Sequence, residues 1–204
     1  MAMTKTKLAS VFLAAALLAG CATPFVLVEP KQQTVGGVIS VEPGMPWNKM
    51  GQSAFKGKLE VWTLDGPSLN TLVFFTGVPD GEPLLQQVGS QQQQEKPPVF
   101  KSSMNPLEIQ ELLEATMSRF FSTTIAETRS LRAESIADGQ GFRFETHLIG
   151  RDEVERDGVF VGTISKGKLY GAWFQGAKLH YFQRYVPEYD RIIASAKLVG
   201  EAAR

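Results

Sequence analysis

An unbroken apolar stretch near the amino terminus ends on the only cysteine of the chain, and this constrains everything downstream. Leu8 to Gly20 holds only apolar and small residues, follows Lys5 and Lys7, and precedes the first acid, Glu29. A helix that crosses hydrocarbon needs about 20 apolar residues, so the run is too short to span and instead suits the apolar region of an export signal. Cys21 is the single thiol. The remainder of the chain therefore has neither a disulfide framework nor a cysteine metal site to rely on, and must fold by burying apolar surface.

Leu18-Ala19-Gly20-Cys21 is an apolar residue, two small residues and a cysteine. It resembles the lipobox of bacterial lipoproteins, cleaved by a type II signal peptidase. The resemblance implies cleavage between Gly20 and Cys21, where small side chains admit the peptidase. It also implies a lipid carried as a thioether on Cys21 and an acylated amino group on the same residue. Each buried methylene is worth roughly 0.8 kcal/mol, so several chains anchor firmly where one is marginal. Ala22 stands where an Asp would retain such a protein in the inner membrane, so the resemblance implies the periplasmic face of the outer membrane if the source is Gram-negative. The expected division is residues 1–20 as signal peptide, 21–34 as lipidated N-terminus and tether, and 35–204 as one domain.

Removing the signal takes two lysines, so 21 basic residues become 19 against 21 acidic ones. A near-neutral chain lacks the basic footprint of a nucleic-acid binder. Residues 86–98, with Gln91 to Gln94 followed by Glu95-Lys96-Pro97-Pro98, show no apolar periodicity and read as a flexible surface loop.

Periodicity points to an α+β fold. Val35 to Val41 reads as a strand. Leu59, Val61 and Thr63 alternate with polar or aromatic neighbours, Asp65-Gly66-Pro67 turns the chain, and Leu69 to Thr76 returns, which makes a hairpin. Asn105-Pro106-Leu107-Glu108 carries the signs of a helix start: a cap, a first-turn proline and a reciprocal glutamate. Ile109, Leu112, Leu113, Met117 and Phe120 then recur on one helical face. A meander follows, from Phe142, Phe144, Thr146 and Leu148 through Gly158 to Ser165, Leu169 to Phe174 and Lys178 to Tyr185. Its expected turns are Asp138-Gly139, Asp157-Gly158, Lys166-Gly167 and Gln175-Gly176. Pro187 is expected to open a last helix carrying Tyr189, Ile192, Ile193 and Ala196. One antiparallel sheet, built of a hairpin plus a C-terminal meander and packed by two amphipathic helices, is the expected architecture.

The succession of hairpin, helix, meander and helix, and above all the closing stretch Tyr181 to Leu198, is similar to the PsbP-like α/β/α sandwich. That resemblance implies a fold and no activity. The run Trp62-Thr63-Leu64-Asp65-Gly66 resembles stretches in uncharacterised bacterial envelope proteins.

The chain advertises no catalytic constellation. His147 lies on the polar side of its strand pattern and reads as solvated; His180 sits among aromatics and reads as packed. They have no zinc-ligand spacing. Gly51-Gln52-Ser53-Ala54-Phe55 has Phe55 where a nucleophile elbow needs glycine. Asp152, Glu153, Glu155 and Asp157 are interleaved with Arg151 and Arg156 and lack calcium-loop spacing. Trp47, Trp62, Tyr170, Trp173, Tyr181 and Phe182 suit either a core or a groove. No cofactor or metal is expected. The leading expectation is a membrane-tethered, non-catalytic envelope lipoprotein that binds a protein or assists an assembly. The alternatives are a periplasmic module for a small ligand, or a hydrolase with an unadvertised site.

Overall fold

The structure, a computed structural model, describes residues 25–51, 55–87, 96–121, 123 and 125–202. Gly20, Cys21, Ser53 and Gln91 to Glu95 lie outside the described residues. The strands before the first helix are β1 (Val26–Val28), β2 (Gln33–Val35), β3 (Ile39–Val41), β4 (Trp47–Lys49), β5 (Phe55–Lys56), β6 (Leu59–Thr63), β7 (Asn70–Pro79) and β8 (Gln86–Gln87). Helix α1 (Pro106–Phe121) leads into β9 (Ile125–Ile136), β10 (Gly139–Ile149), β11 (Glu155–Ser165) and β12 (Lys168–Ala177). Helix α2 (Gln183–Ser195) and the short β13 (Lys197–Leu198) close the chain.

Eight strands form one antiparallel sheet in the order β1-β4-β6-β7-β12-β11-β10-β9. The hairpin of β6 and β7 pairs Val61 with Val73, and the meander from β9 to β12 runs through consecutive neighbours. The fold is α+β: α1 covers one face of the sheet, while α2 and a small sheet of order β13-β3-β2 cover part of the other.

Helix α1 starts where its cap dictates. Asn105 N–H donates to Glu108 Oε2 at 2.7 Å, and Glu108 N–H donates to Asn105 Oδ1 at 3.0 Å, so two otherwise orphaned donors are satisfied reciprocally. Ile109, Leu112, Leu113 and Met117 then pack on Phe75, Phe144, Phe160 and Trp173. On the other face, Tyr185, Tyr189, Ile192 and Ile193 of α2 join Val35, Ile39 and Val41 over Trp62, Phe74 and Phe174. Each such side chain stabilises the fold by about 1.5–3 kcal/mol on burial, so these two interfaces carry the domain. Tyr189 donates its hydroxyl to the Ala172 carbonyl at 2.9 Å, and burial pushes its phenol well above the ordinary value.

Several expectations need correction. Val35 to Val41 is not one strand: Gly36 and Gly37, both at positive φ, reverse the chain between β2 and β3. The stretch 21–34, expected to be tether, contributes β1 to the main sheet and β2 to the small one. Gln86 and Gln87, expected in the loop, pair with β5. The turn after β9 is Ala137-Asp138, one residue early, while Lys166-Gly167 turns as expected. Asp157-Gly158 and Gln175-Gly176 make no turn and lie within paired strands. Gly158 serves close packing, since a Cβ there would come within 2.4 Å of Thr146 Oγ1, which accepts from Trp173 Nε1.

Lys178 to Tyr185 is not a strand. A π-helical turn (Lys178–Phe182) runs directly into α2, so Pro187 lies inside the helix and does not open it. The reversal begins at Gly176, where a Cβ would meet the Phe182 backbone N at 2.9 Å. Only a residue without a side chain lets the chain fold back over the sheet there.

Candidate interaction surface

Strand alternation gives the sheet two faces, and α2 with the small sheet covers only part of one. At β9 and β10 that face is polar and uncovered. Arg143 marks its inner limit: Nη1 donates to Asp190 Oδ1 of α2 at 2.6 Å, with the guanidinium 5.9 Å from the centre of the Tyr189 ring. Beyond it Arg129 pairs with Glu145 at 3.3 Å and Arg132 with Glu134 at 3.5 Å. At the start of the π-helical turn, Lys178 pairs with Glu155 at 2.6 Å. That contact holds the Glu155 carboxyl below its usual range and lifts the Lys178 ammonium above its own.

A bulge shapes the ribbon. Arg143 faces Arg132 and Glu145 faces Arg129, so Ser130 and Leu131 together oppose Phe144. Ser130 takes φ 60, a left-handed conformation that non-glycine residues rarely adopt, and Leu131 is exposed. Exposed ion pairs are worth about 0–1 kcal/mol each, so this array does little to hold the fold. Its charges do keep the twelve-residue edge strand β9 from pairing with another sheet.

His147 belongs to the inner part of this face and is not solvated, contrary to its strand pattern. Its Nδ1 lies 2.8 Å from Asp157 Oδ1, and the two side chains are 16% and 12% exposed. Among the described residues no Ser, Thr or Cys bonds its Nε2. His180 does not pack in a strand. It is exposed on the π-helical turn, with Nε2 3.3 Å from Arg184 Nη1 and its ring edge-on to Tyr181.

The acidic run splits between two faces. Asp157 turns to His147, while Asp152 takes both terminal nitrogens of Arg156 at 3.2 and 2.7 Å. The hydrogen bond from Arg156 lowers the Asp152 carboxyl to about 2. Among the described residues no group of three His, Cys, Asp or Glu could hold a metal ion. Trp47, Trp62, Tyr170 and Trp173 are buried, with Trp62 4.8 Å from Phe74 between ring centres. Tyr181 and Phe182 are half-buried against the core of Trp47, Trp62 and Tyr170, and Tyr170 lines a small apolar cavity with Ile39, Val41 and Ala172. The Trp62 to Gly66 run is a built turn: Asn70 Oδ1 accepts from Leu64 N–H at 2.8 Å, and Asn70 Nδ2 donates to Asp65 Oδ2 at 2.7 Å.

The sequence reading missed Arg129, Arg132 and Glu134. Their signal was a charge at every second position, broken by the two-residue step at Ser130-Leu131 that the bulge imposes.

No protein-family model matches the chain, and no curated protein sequence does. Among solved structures, the solution structure of cyanobacterial PsbP from Synechocystis is similar with a TM-score of 0.54 at 13% identity, over 89% of this chain and 96% of that one. The fold is thus PsbP-like. The crystal structure of LpqN, involved in cell envelope biogenesis of Mycobacterium tuberculosis, gives a TM-score of 0.36 at 7% identity, over 89% and 88% of the two chains. That score is too low to establish a common fold. Among the described residues no helix is long and apolar enough to cross a membrane.

Proposed function

We propose that this chain is an exported, non-catalytic lipoprotein, anchored through Cys21 to the periplasmic face of an outer membrane, whose domain binds an envelope protein through the β9–β10 face. The strand order carries this reading. β1, which begins five residues after Cys21, is one edge of the eight-stranded sheet, and β9 is the other. Five extended residues reach at most about 18 Å, so a lipid on Cys21 would keep the β1 edge within that distance of the bilayer. Phe25, Val26 and Leu27 expose apolar side chains at that edge. Seven strand spacings of about 4.8 Å put β9 roughly 30 Å further out, facing away from the membrane. There the charged ribbon is free to meet a partner of complementary charge pattern, a geometry that favours specificity and rate of encounter.

A photo-crosslinking residue at Glu127, exposed on β9 opposite His147, tests this against one at Leu107, on α1 and the opposite face. A discrete adduct at Glu127 alone, abolished by Arg129→Glu with Arg132→Glu at normal abundance, supports the reading. Equal adducts from both positions, or an adduct indifferent to charge reversal, would contradict it.

A further inference from the structure

On the α1 face, beyond the end of the helix, a cleft of about 320 Å³ opens between the β6–β7 turn and the β10–β11 turn. Its wall includes Gln175, a side chain 5% exposed whose Oε1 has no hydrogen-bond partner. Gln175 belongs to β12, between Gly158 and Thr71 on the neighbouring strands. A buried amide left unpaired costs about 1–3 kcal/mol, and an apolar residue of the same size would avoid that cost, so the position needs another explanation. Thr123 lines the same cleft, and its Oγ1 is also buried without a partner. Two polar groups able to donate and accept thus meet in one cavity of ligand size.

The charged groups of the lining favour an anion. Arg156 forms part of the wall, but its terminal nitrogens are committed to Asp152, to the Val154 carbonyl and to the Ser68 carbonyl. With the Asp152 carboxyl held at about 2, that pair is neutral overall near pH 7. Arg151, also in the lining and exposed, adds one positive charge. We infer that this cleft binds a small hydroxylated acid, of the sugar-acid or hydroxy-acid class, with its hydroxyls on Gln175 and Thr123 and its carboxylate toward Arg151. The site is on the opposite face from the β9–β10 ribbon and does not depend on the function proposed for it.

Titration calorimetry of the detergent-solubilised full chain with D-glucuronate, D-glucose and inorganic phosphate tests the inference. Glucuronate should bind, and neutral glucose and phosphate should bind at least tenfold more weakly. Gln175→Leu and Arg151→Ala should each weaken glucuronate binding about tenfold or more, the loss expected from one good hydrogen bond or ion pair. Gln175→Leu should also keep or raise the thermal midpoint, because it removes a buried unpaired amide; this separates a ligand-binding amide from a structural one. Absence of glucuronate binding, phosphate binding of equal strength, or a lowered midpoint in Gln175→Leu would overturn it.

Discussion

His147 and Asp157 stand directly opposite each other on β10 and β11, and the imidazole Nδ1 lies 2.8 Å from the carboxylate across the strand pair. The contact ties the inner edge of the charged ribbon to the core strands. Its chemistry is that of a cross-strand tie, because Asp157 is buried and the ring satisfies it.

His147→Ala should therefore destabilise the domain by about 1–3 kcal/mol, the cost of stranding a buried acceptor. His147→Val combined with Asp157→Val should recover much of that loss, since both polar partners are then gone. Urea denaturation of the parent and the two variants checks this. If His147→Ala unfolds at the same urea concentration as the parent, the tie contributes nothing.

Glu188 makes a comparable but longer-range connection. From inside α2 its Oε1 accepts from the Gly44 backbone N–H at 2.7 Å and lies 3.5 Å from Trp47 Nε1. The carboxylate is buried, and it joins the last helix to the loop between β3 and β4. Glu188→Ala should cost about 1–3 kcal/mol, because one donor is left unsatisfied and a second loses its weaker contact. Glu188→Gln should cost less, since its amide oxygen still accepts. Thermal unfolding that ranks the two variants equally would mean the loop holds its place without this acceptor.

Asp152 supplies a pH-dependent test. Its carboxyl is lowered to about 2, first by the hydrogen bond from Arg156, against an ordinary value of 3.8. A depressed carboxylate contributes stability that is complete above its unfolded value and is lost as pH falls through its folded one. The Asp152–Arg156 pair should therefore stay formed from neutrality down to pH 4 and dissolve between about pH 3.8 and 2. Asp152 is half exposed, so the pair has little leverage on global stability. Carbon-13 titration of the Asp152 carboxyl should give a midpoint near 2 in the parent and near 3.8 in Arg156→Gln. The same midpoint in both proteins would remove Arg156 as the cause.

What was legible in the chain was local. The Asn105–Glu108 cap, the β6–β7 hairpin and the alternation from Phe142 to Leu148 each follow from neighbours a few residues away, and each forms as its pattern predicts. Features set by distant contacts were not legible. Gly158 and Gly176 look like turn residues, yet they are glycines because Thr146 and the Phe182 backbone come close from other elements. The aromatic run Leu179 to Phe182 has strand propensity, but sheet position overrides it: beyond Ala177 the chain turns back, and Leu179 ends fully exposed. The same holds for the site. Alternation placed His147 on a polar face, but nothing nearby in sequence pointed to Asp157 as its partner or to Gln175 as an unpaired amide.

The proposed point of attachment is Cys21, and a lipid there would put β1 at the membrane and β9 away from it. Metabolic labelling with a fatty-acid analogue measures this directly, comparing the parent with Cys21→Ser. The expected result is label on the parent and none on the variant, which should also remain uncleaved after Gly20. Undiminished label on Cys21→Ser, or cleavage that proceeds normally, would contradict the lipoprotein reading and the orientation built on it.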